Sequence, residues 1–375
     1  MGTQREITNL RQELSGVKTM ENPKRRKIWW RTLILLGLVI VLLAGLSLLG
    51  TKFIYDSQFG RFEPPDPSLT SALHYQDLES GYPRELVSFY SGKNKLQGYL
   101  YPKKGSLGLV VVVHGLGGGA DSYLPQIKYF LDQGWSVFAY DATGSYNSEG
   151  EGTRGFPQAL VDLDAALSFI KSRKDLNNLP LLVFGHSWGG YAAANILHFD
   201  HELAGVVSIS APNSALEMIL EQGSHMLGPV IYAQRPFLWF YQWLLYGKTA
   251  SLTAVEALNK TSVPVLIVHG TADTVVDYYG SAIINKRMEI TNPKVRFLAL
   301  EEEGQNDHNN IFRSKEALAY ITPLNQEYRA VFDQYEGKVP EEVRREFYAR
   351  VDRRLANDIN RGLMDEIHSF FLSCL

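Results

Sequence analysis

Cysteine is almost missing from this sequence. The single residue, Cys374, stands beside the C-terminal Leu375, so neither an intrachain disulfide framework nor a cysteine-built zinc site is available. An excess of positive charge is missing too: 37 Lys and Arg face 40 Asp and Glu, for a formal net charge of −3. Nucleic acid is therefore not an expected partner, because phosphate recognition draws on a basic excess. Internal repeats and low-complexity tracts are also absent. What is present is apolar: 45% of the 375 residues are hydrophobic and 12% aromatic. Such a chain is too apolar for disorder and long enough for one large core or two ordinary domains. Packing alone must hold it together.

The near-neutral total hides an asymmetry. Residues 1–31 carry eight Lys or Arg and three Glu, leaving +5 there and −8 on the remainder. Lys24, Arg25, Arg26, Lys27 and Arg31 lead directly into an uncharged run of 20 residues, Thr32 to Thr51. That length matches one crossing of a hydrocarbon layer about 30 Å thick, and Trp29 and Trp30 stand where amphipathic rings favour the headgroup level. A buried core helix would show a polar stripe, which this run lacks. A cleaved signal peptide has an apolar stretch of only about 7–15 residues before a small-x-small site. The expectation is a single-pass membrane helix over 28–51 with a basic cytoplasmic tail, 1–27, and everything after it outside the cytoplasm. Residues 52–83, with Pro64, Pro65 and Pro67, read as a linker or wrapping arm before a folded domain over 84–375.

In that domain short β-branched runs fall at 86–90, 95–101, 108–113, 135–140, 180–185, 204–209, 264–268 and 295–300. Helix-length stretches separate most of them, including 121–133, 157–174, 188–199 and 279–289. The runs at 109–113 and 265–268 are continuously apolar, as strands covered on both faces must be. The first two alternate and are joined through Gly92-Lys93-Asn94, which predicts an edge hairpin. The sum is an α/β fold, a mostly parallel sheet of about eight strands flanked by helices. Residues 211–250 interrupt the rhythm with the aromatic stretch Phe237 to Tyr246. Residues 312–356 are highly charged, with Val343, Phe347, Val351 and Leu355 spaced as on one face of a surface helix.

The chemistry begins at Gly185-His186-Ser187-Trp188-Gly189, a G-x-S-x-G pattern between a buried strand and the helical Tyr191 to Leu197. A sharp strand-to-helix turn lifts the central hydroxyl above the sheet at the positive end of the helix, with glycines required two positions either side. A serine hydroxyl needs a base and an orienting acid. Val265 to Val268 leads into His269-Gly270-Thr271-Ala272-Asp273, which puts Asp273 at the sheet edge where such folds hold ligands, with Asp277 as the alternative acid. After the last run comes Gly304 to Asn310, whose His308 is the expected base, Asp307 facing solvent or capping the turn. His114, His186 and His269 read as structural, and His74, His198, His201, His225 and His368 lack a strand-edge position. An oxyanion needs donors, and His114-Gly115-Leu116-Gly117-Gly118-Gly119 offers unobstructed backbone amides: Leu116 N–H and Trp188 N–H are the expected pair. A phosphate loop is the weaker reading, because the G-x-G-x-x-G spacing and the Walker lysine are missing. No metal or cofactor is expected.

HGLGGG at 114–119, DATGSYNSEG at 141–150, GHSWGG at 185–190, HGTAD at 269–273 and His308 together resemble the α/β-hydrolase superfamily over about residues 84–309, with a final helix near 359–373. The resemblance implies an esterase- or lipase-like serine hydrolase and a cap insertion at about 211–250, where Phe237, Trp239, Phe240 and Trp243 could line a substrate pocket or pack inward. Two departures stand out. Thr143 occupies a position where the family commonly has Arg, and about 45 residues (312–356) intervene before the final helix. The expected reaction is cleavage of a small-molecule or lipid-like carboxylic ester through an acyl-enzyme; a serine peptidase and a non-catalytic surface binding module are the alternatives.

Overall fold

The computed structural model describes residues 23–375, with side chains from Arg26; the tail expected over 1–27 lies mostly outside the described residues. Contacts divide the chain into one unit ending at Gly50 and a second from Thr51 to Leu375. Helix α1, Pro23–Gln58, contains the apolar run. Among the described residues it is the one helix long and apolar enough to cross a membrane, with a mean hydropathy of 2.9 in its best window. The helix outruns the expected anchor. Residues 52–58 are its last turns rather than the start of an arm.

From Thr51 onward the chain builds one sheet of eight strands in the order β1-β2-β4-β3-β5-β6-β7-β8. These are β1 (Glu85–Ser91), β2 (Asn94–Tyr101), β3 (Leu109–Val113), β4 (Ser136–Tyr140), β5 (Leu181–His186), β6 (Gly205–Ile209), β7 (Val265–Gly270) and β8 (Val295–Leu300). Each expected run is a strand. β2 runs antiparallel to β1 and β4, and the other pairs are parallel. The β1–β2 hairpin pairs Ser91 with Asn94 and turns on Gly92 and Lys93, Gly92 taking a φ of 56° that favours glycine. β3, β4, β6 and β7 are buried at every position, the composition anticipated for strands covered on both faces.

Helices α2 (Leu124–Asp132), α3 (Phe156–Ser172) and α4 (Trp188–Asn195) make the crossovers, and the C-terminal α11 is Arg361–Ser373. One core joins Phe130, Trp135, Phe184, Ile367 and Phe371 between α2, α11 and the sheet. β3 has β4 on one side and β5 on the other, so the crossovers diverge there. The carboxyl ends of β3 and β5 are thus the position at which doubly wound sheets bind ligands. The cap region consists of α5 (Ala215–Leu227), a 3-10 stretch Gly228–Gln234, and α6 (Arg235–Tyr246). α7 is Ala254–Lys260.

Two helix expectations need correction. Residues 279–289 are not one helix: only Ile283–Glu289 coils, as a 3-10 helix, because the Glu221 carboxylate takes the amides of Asp277 and Ser281 and holds that stretch in turns. The charged insertion is three helices, α8 (Lys315–Gln334), α9 (Glu341–Ala349) and α10 (Arg353–Ala356). The four-residue stripe breaks at Asp352, whose carboxylate caps α10, so Phe347 is buried while Leu355 is exposed.

A short arm follows α1. Phe62 bonds Gly144 and Tyr146 through its main chain at 3.0 and 2.8 Å, and its ring lies against Gly117. The Arg61 guanidinium donates to the carbonyls of Tyr146, Ser148 and Gly150. Replacing Arg61 with Ala removes these hydrogen bonds, two of them at exposed positions where water can substitute, and a loss of about 1 kcal/mol of unfolding free energy is expected by denaturant titration.

Candidate active site

The turn after β5 puts Ser187 at φ 56° and ψ −117°, a conformation that a residue with a side chain holds only when its surroundings force it. The force is close packing. A Cβ on Gly185 would sit 2.2 Å from the Gly189 carbonyl oxygen, and one on Gly189 would sit 2.1 Å from that of Val113. β3, β5 and the first turn of α4 therefore meet backbone to backbone, and Ser187 is pushed outward at the helix N-terminus. Trp188 is fully buried, its indole N–H bonded to the Phe156 carbonyl at 3.0 Å.

His308 arrives from the loop after β8. A Cβ on Gly270 would meet the Asn306 carbonyl oxygen at 2.2 Å, and that oxygen accepts the Ala272 N–H at 2.9 Å. This clip sets the β7 and β8 loops side by side. His308 Nε2 then lies 2.9 Å from Ser187 Oγ, and Nδ1 lies 2.7 Å from Asp273 Oδ2. Asp273 Oδ1 accepts the amides of Val275 and Val276, both at 2.9 Å. Burial alone would raise the Asp273 carboxyl, but hydrogen bonds from His269 and His308 and the charges of those rings outweigh it and hold the group well below the usual carboxylate range. An ionised carboxylate can only accept, so it selects the His308 tautomer with hydrogen on Nδ1 and a bare Nε2 facing the serine. Asp277, the alternative acid, caps a turn by accepting the Tyr279 amide at 3.0 Å. Asp307 does likewise for Asn309 and Asn310.

The glycine-rich loop after β3 passes next to the serine: a Cβ on Gly115 would be 3.4 Å from Ser187 Cβ. His114 Nε2 accepts the Ala142 amide at 2.9 Å, so Nδ1 carries the hydrogen and donates to the Gly115 carbonyl at 2.7 Å. Further along, the buried Asp141 fixes Ala120 by accepting its amide at 2.8 Å. Thr143 has its own task. Its amide and hydroxyl bond the buried Asp162 at 2.7 and 2.9 Å, so the position where Arg is common serves the core here.

The cap aromatics sit apart from this cluster of hydrogen bonds. α6 buries Leu238, Tyr241 and Gln242, while Phe237 is half-buried and Trp239, Phe240 and Trp243 are exposed at 43%, 38% and 44%. Tyr241 bonds Asp56 at 2.6 Å, and Phe240 stacks on Trp243. A cavity of about 430 Å³ lies elsewhere, between Tyr82, Lys128 and Arg354, and none of the expected site residues line it. Among the described residues no group of three or more His, Cys, Asp or Glu could hold a metal ion.

Sequence reasoning set His186 and His269 aside and gave Tyr123 no role. His269 Nε2 donates to the Val276 carbonyl at 2.9 Å and lies 3.3 Å from Asp273 Oδ2. His186 joins Tyr123 to the His308 main chain. No sequence spacing marks these partners; the only available signal was histidine beside glycine at strand ends.

Sheet order and crossovers give the fold its class: it is the α/β-hydrolase fold. The family model described as serine aminopeptidase, S33 (Hydrolase_4), matches residues 105–240. The chain is 23% identical over 248 residues to the uncharacterized protein YfhR of Escherichia coli (strain K12), covering 62% of this chain and 78% of that protein. It is 26% identical over 216 residues to the lysophosphatidylserine lipase ABHD12 of Danio rerio, about half the length of each (55%). The Pyrococcus furiosus esterase PF2001 superposes with a TM-score of 0.50 at 20% identity, covering 78% of this chain and 99% of that one, a likeness of fold. The chain therefore has the α/β-hydrolase fold, and a little over a third of it matches a hydrolase family model.

Because its folded pKa is depressed, Asp273 contributes stability above its unfolded value of about 3.8, and this is lost as pH falls through the folded value. The gap in melting temperature between wild type and Asp273→Asn should therefore be widest near pH 7 and narrow below about pH 3.8, as read by thermal denaturation across pH.

Proposed function

We propose that the protein is a membrane-anchored serine hydrolase that cleaves carboxylic esters, with Ser187 as nucleophile, His308 as base and Asp273 as the orienting acid. The observation that carries this reading is the continuous relay from Asp273 through His308 to the strained Ser187, at 2.7 and 2.9 Å. His308 Nε2 takes the serine proton as Oγ bonds to the acyl carbon. The carbonyl π pair moves to oxygen, where the N–H groups of Leu116 and Trp188 receive it. Collapse expels the alkoxide, which leaves with the proton from His308. Water then repeats the sequence on the acyl-enzyme, releasing the acid and restoring Ser187.

A lipid-like substrate is supported by the likeness to a lysophosphatidylserine lipase and by the exposed Trp239, Phe240 and Trp243 beside the half-buried Phe237, which offer apolar surface to an acyl chain. The anchor rests on α1, with the N-terminus cytoplasmic and the hydrolase domain extracytoplasmic by the basic flank. The serine aminopeptidase description of the matching family model favours a second reading, amide cleavage by the same residues.

A fluorophosphonate probe should label wild-type protein at Ser187 and leave Ser187→Ala untouched. The same substitution should lower p-nitrophenyl ester turnover by at least about a thousandfold with folding intact. Unlabelled wild type, or a Ser187→Ala protein that keeps its turnover, removes the proposal. Greater activity on aminoacyl anilides than on esters would favour the peptidase reading. Alkaline carbonate washing should leave the full chain in the membrane pellet; release into the supernatant would remove the anchor.

A further inference from the structure

Three buried contacts run beneath the site without touching the place where a substrate would react. The Gly115 N–H lies 3.0 Å from the Tyr123 hydroxyl. That hydroxyl lies 2.7 Å from His186 Nδ1, and His186 Nε2 lies 2.9 Å from the His308 carbonyl oxygen. Chemistry fixes the direction of each bond. A carbonyl only accepts, so His186 carries its hydrogen on Nε2. Burial pushes the His186 imidazole down to about 3, and His308 beside it adds to the effect, so the ring is neutral and Nδ1 is bare. The Tyr123 hydroxyl must therefore donate to Nδ1, leaving its lone pairs for the Gly115 N–H. Burial raises the Tyr123 phenol well above its ordinary value, which keeps that donor proton in place.

Gly115 is held on both sides. Its carbonyl receives His114 Nδ1–H at 2.7 Å and the Gly118 N–H at 3.2 Å. A trans peptide is planar, so fixing the Gly115 carbonyl also fixes the Leu116 N–H, which points the opposite way. The amide one peptide earlier is fixed by Tyr123. At the other end the chain reaches the backbone of the residue whose ring serves Ser187.

We propose that Tyr123 and His186 are positioning residues: their hydroxyl–imidazole chain ties the His114–Gly115 peptide, the one adjoining the peptide that carries the Leu116 oxyanion donor, to the main chain of His308, so donor and base are held in one register. The inference rests on the Ser187–His308–Asp273 reading given above and extends it to two side chains that touch no substrate. Neither side chain moves a proton in the reaction. Each works by keeping a backbone group within the narrow geometry that the tetrahedral intermediate requires.

The test uses the purified full chain in detergent, comparing wild type, Tyr123→Phe, His186→Gln and the double variant. Glutamine keeps a donor for the His308 carbonyl but loses the ring that places an acceptor against the Tyr123 hydroxyl. Two quantities are read: the second-order rate of fluorophosphonate labelling at Ser187, and kcat and KM on a p-nitrophenyl ester. Each single variant should lose roughly tenfold or more in labelling rate and kcat, with KM within about twofold. The double variant should be no worse than the poorer single one, because both changes cut the same chain. Tyr123→Phe within twofold of wild type in both readouts overturns the proposal, and so do losses that multiply in the double variant. A rise in KM with kcat preserved overturns it as well. If His186→Gln does not fold, the Tyr123→Phe result decides alone. Wild type that is not labelled at all instead sinks the underlying serine reading, an outcome separate from labelled wild type with an indifferent Tyr123→Phe.

Discussion

The site depends on one steric constraint: three stretches of main chain meet with no room for a side chain between them. Val113, Gly185 and Gly189 approach so closely that a methyl group at either glycine would overlap a carbonyl oxygen. Ser187 has nowhere to go but a left-handed conformation with its side chain lifted from the sheet. The strain is borne by β3, buried at every position, and by β5, buried beyond its first residue. The hydroxyl is thereby placed by the most rigid part of the molecule, although it sits on a turn.

Electrostatics does the complementary work. Asp273 is surrounded by donors, two amides on one oxygen and two imidazoles at the other, so its charge is fully used in orienting neighbours. Around it, His186 is neutral by burial and His114 is likewise pushed down by burial, which leaves their tautomers decided by carbonyls and amides. Four histidines thus lie within one small volume, three of them acting as rigid spacers between backbone groups. The division follows from placement: rings at the ends of buried strands find backbone partners, whereas the ring on the late loop faces the serine.

Much of this was legible in the residues. Continuous apolar runs such as Leu109 to Val113 specify a covered parallel strand because no other local structure suits them. Ser187, between two glycines at a strand-to-helix junction, is legible for the same reason: few arrangements need that spacing. The partners of His186 and Tyr123 were not, since 63 positions separate them and only the packed structure brings hydroxyl to ring. Charged surface segments were read least well. In 312–356 the stripe of Val343, Phe347, Val351 and Leu355 hid a break, because one aspartate side chain capping a new helix outweighs apolar periodicity on an exposed face.

The clamp made by Arg61 and Phe62 shifts where the working unit begins. Its guanidinium satisfies three carbonyls of the 146–150 turn, and its neighbour's ring covers a glycine of the 114–119 loop. The family match opens at residue 105 and the first strand at Glu85, so both borders fall downstream of it. A fragment trimmed to either border would keep Ser187, Asp273 and His308 and still lack the bracket that ties the 114–119 and 146–150 segments together. For this chain the boundary of the sheet and the boundary of the packed unit are different residues.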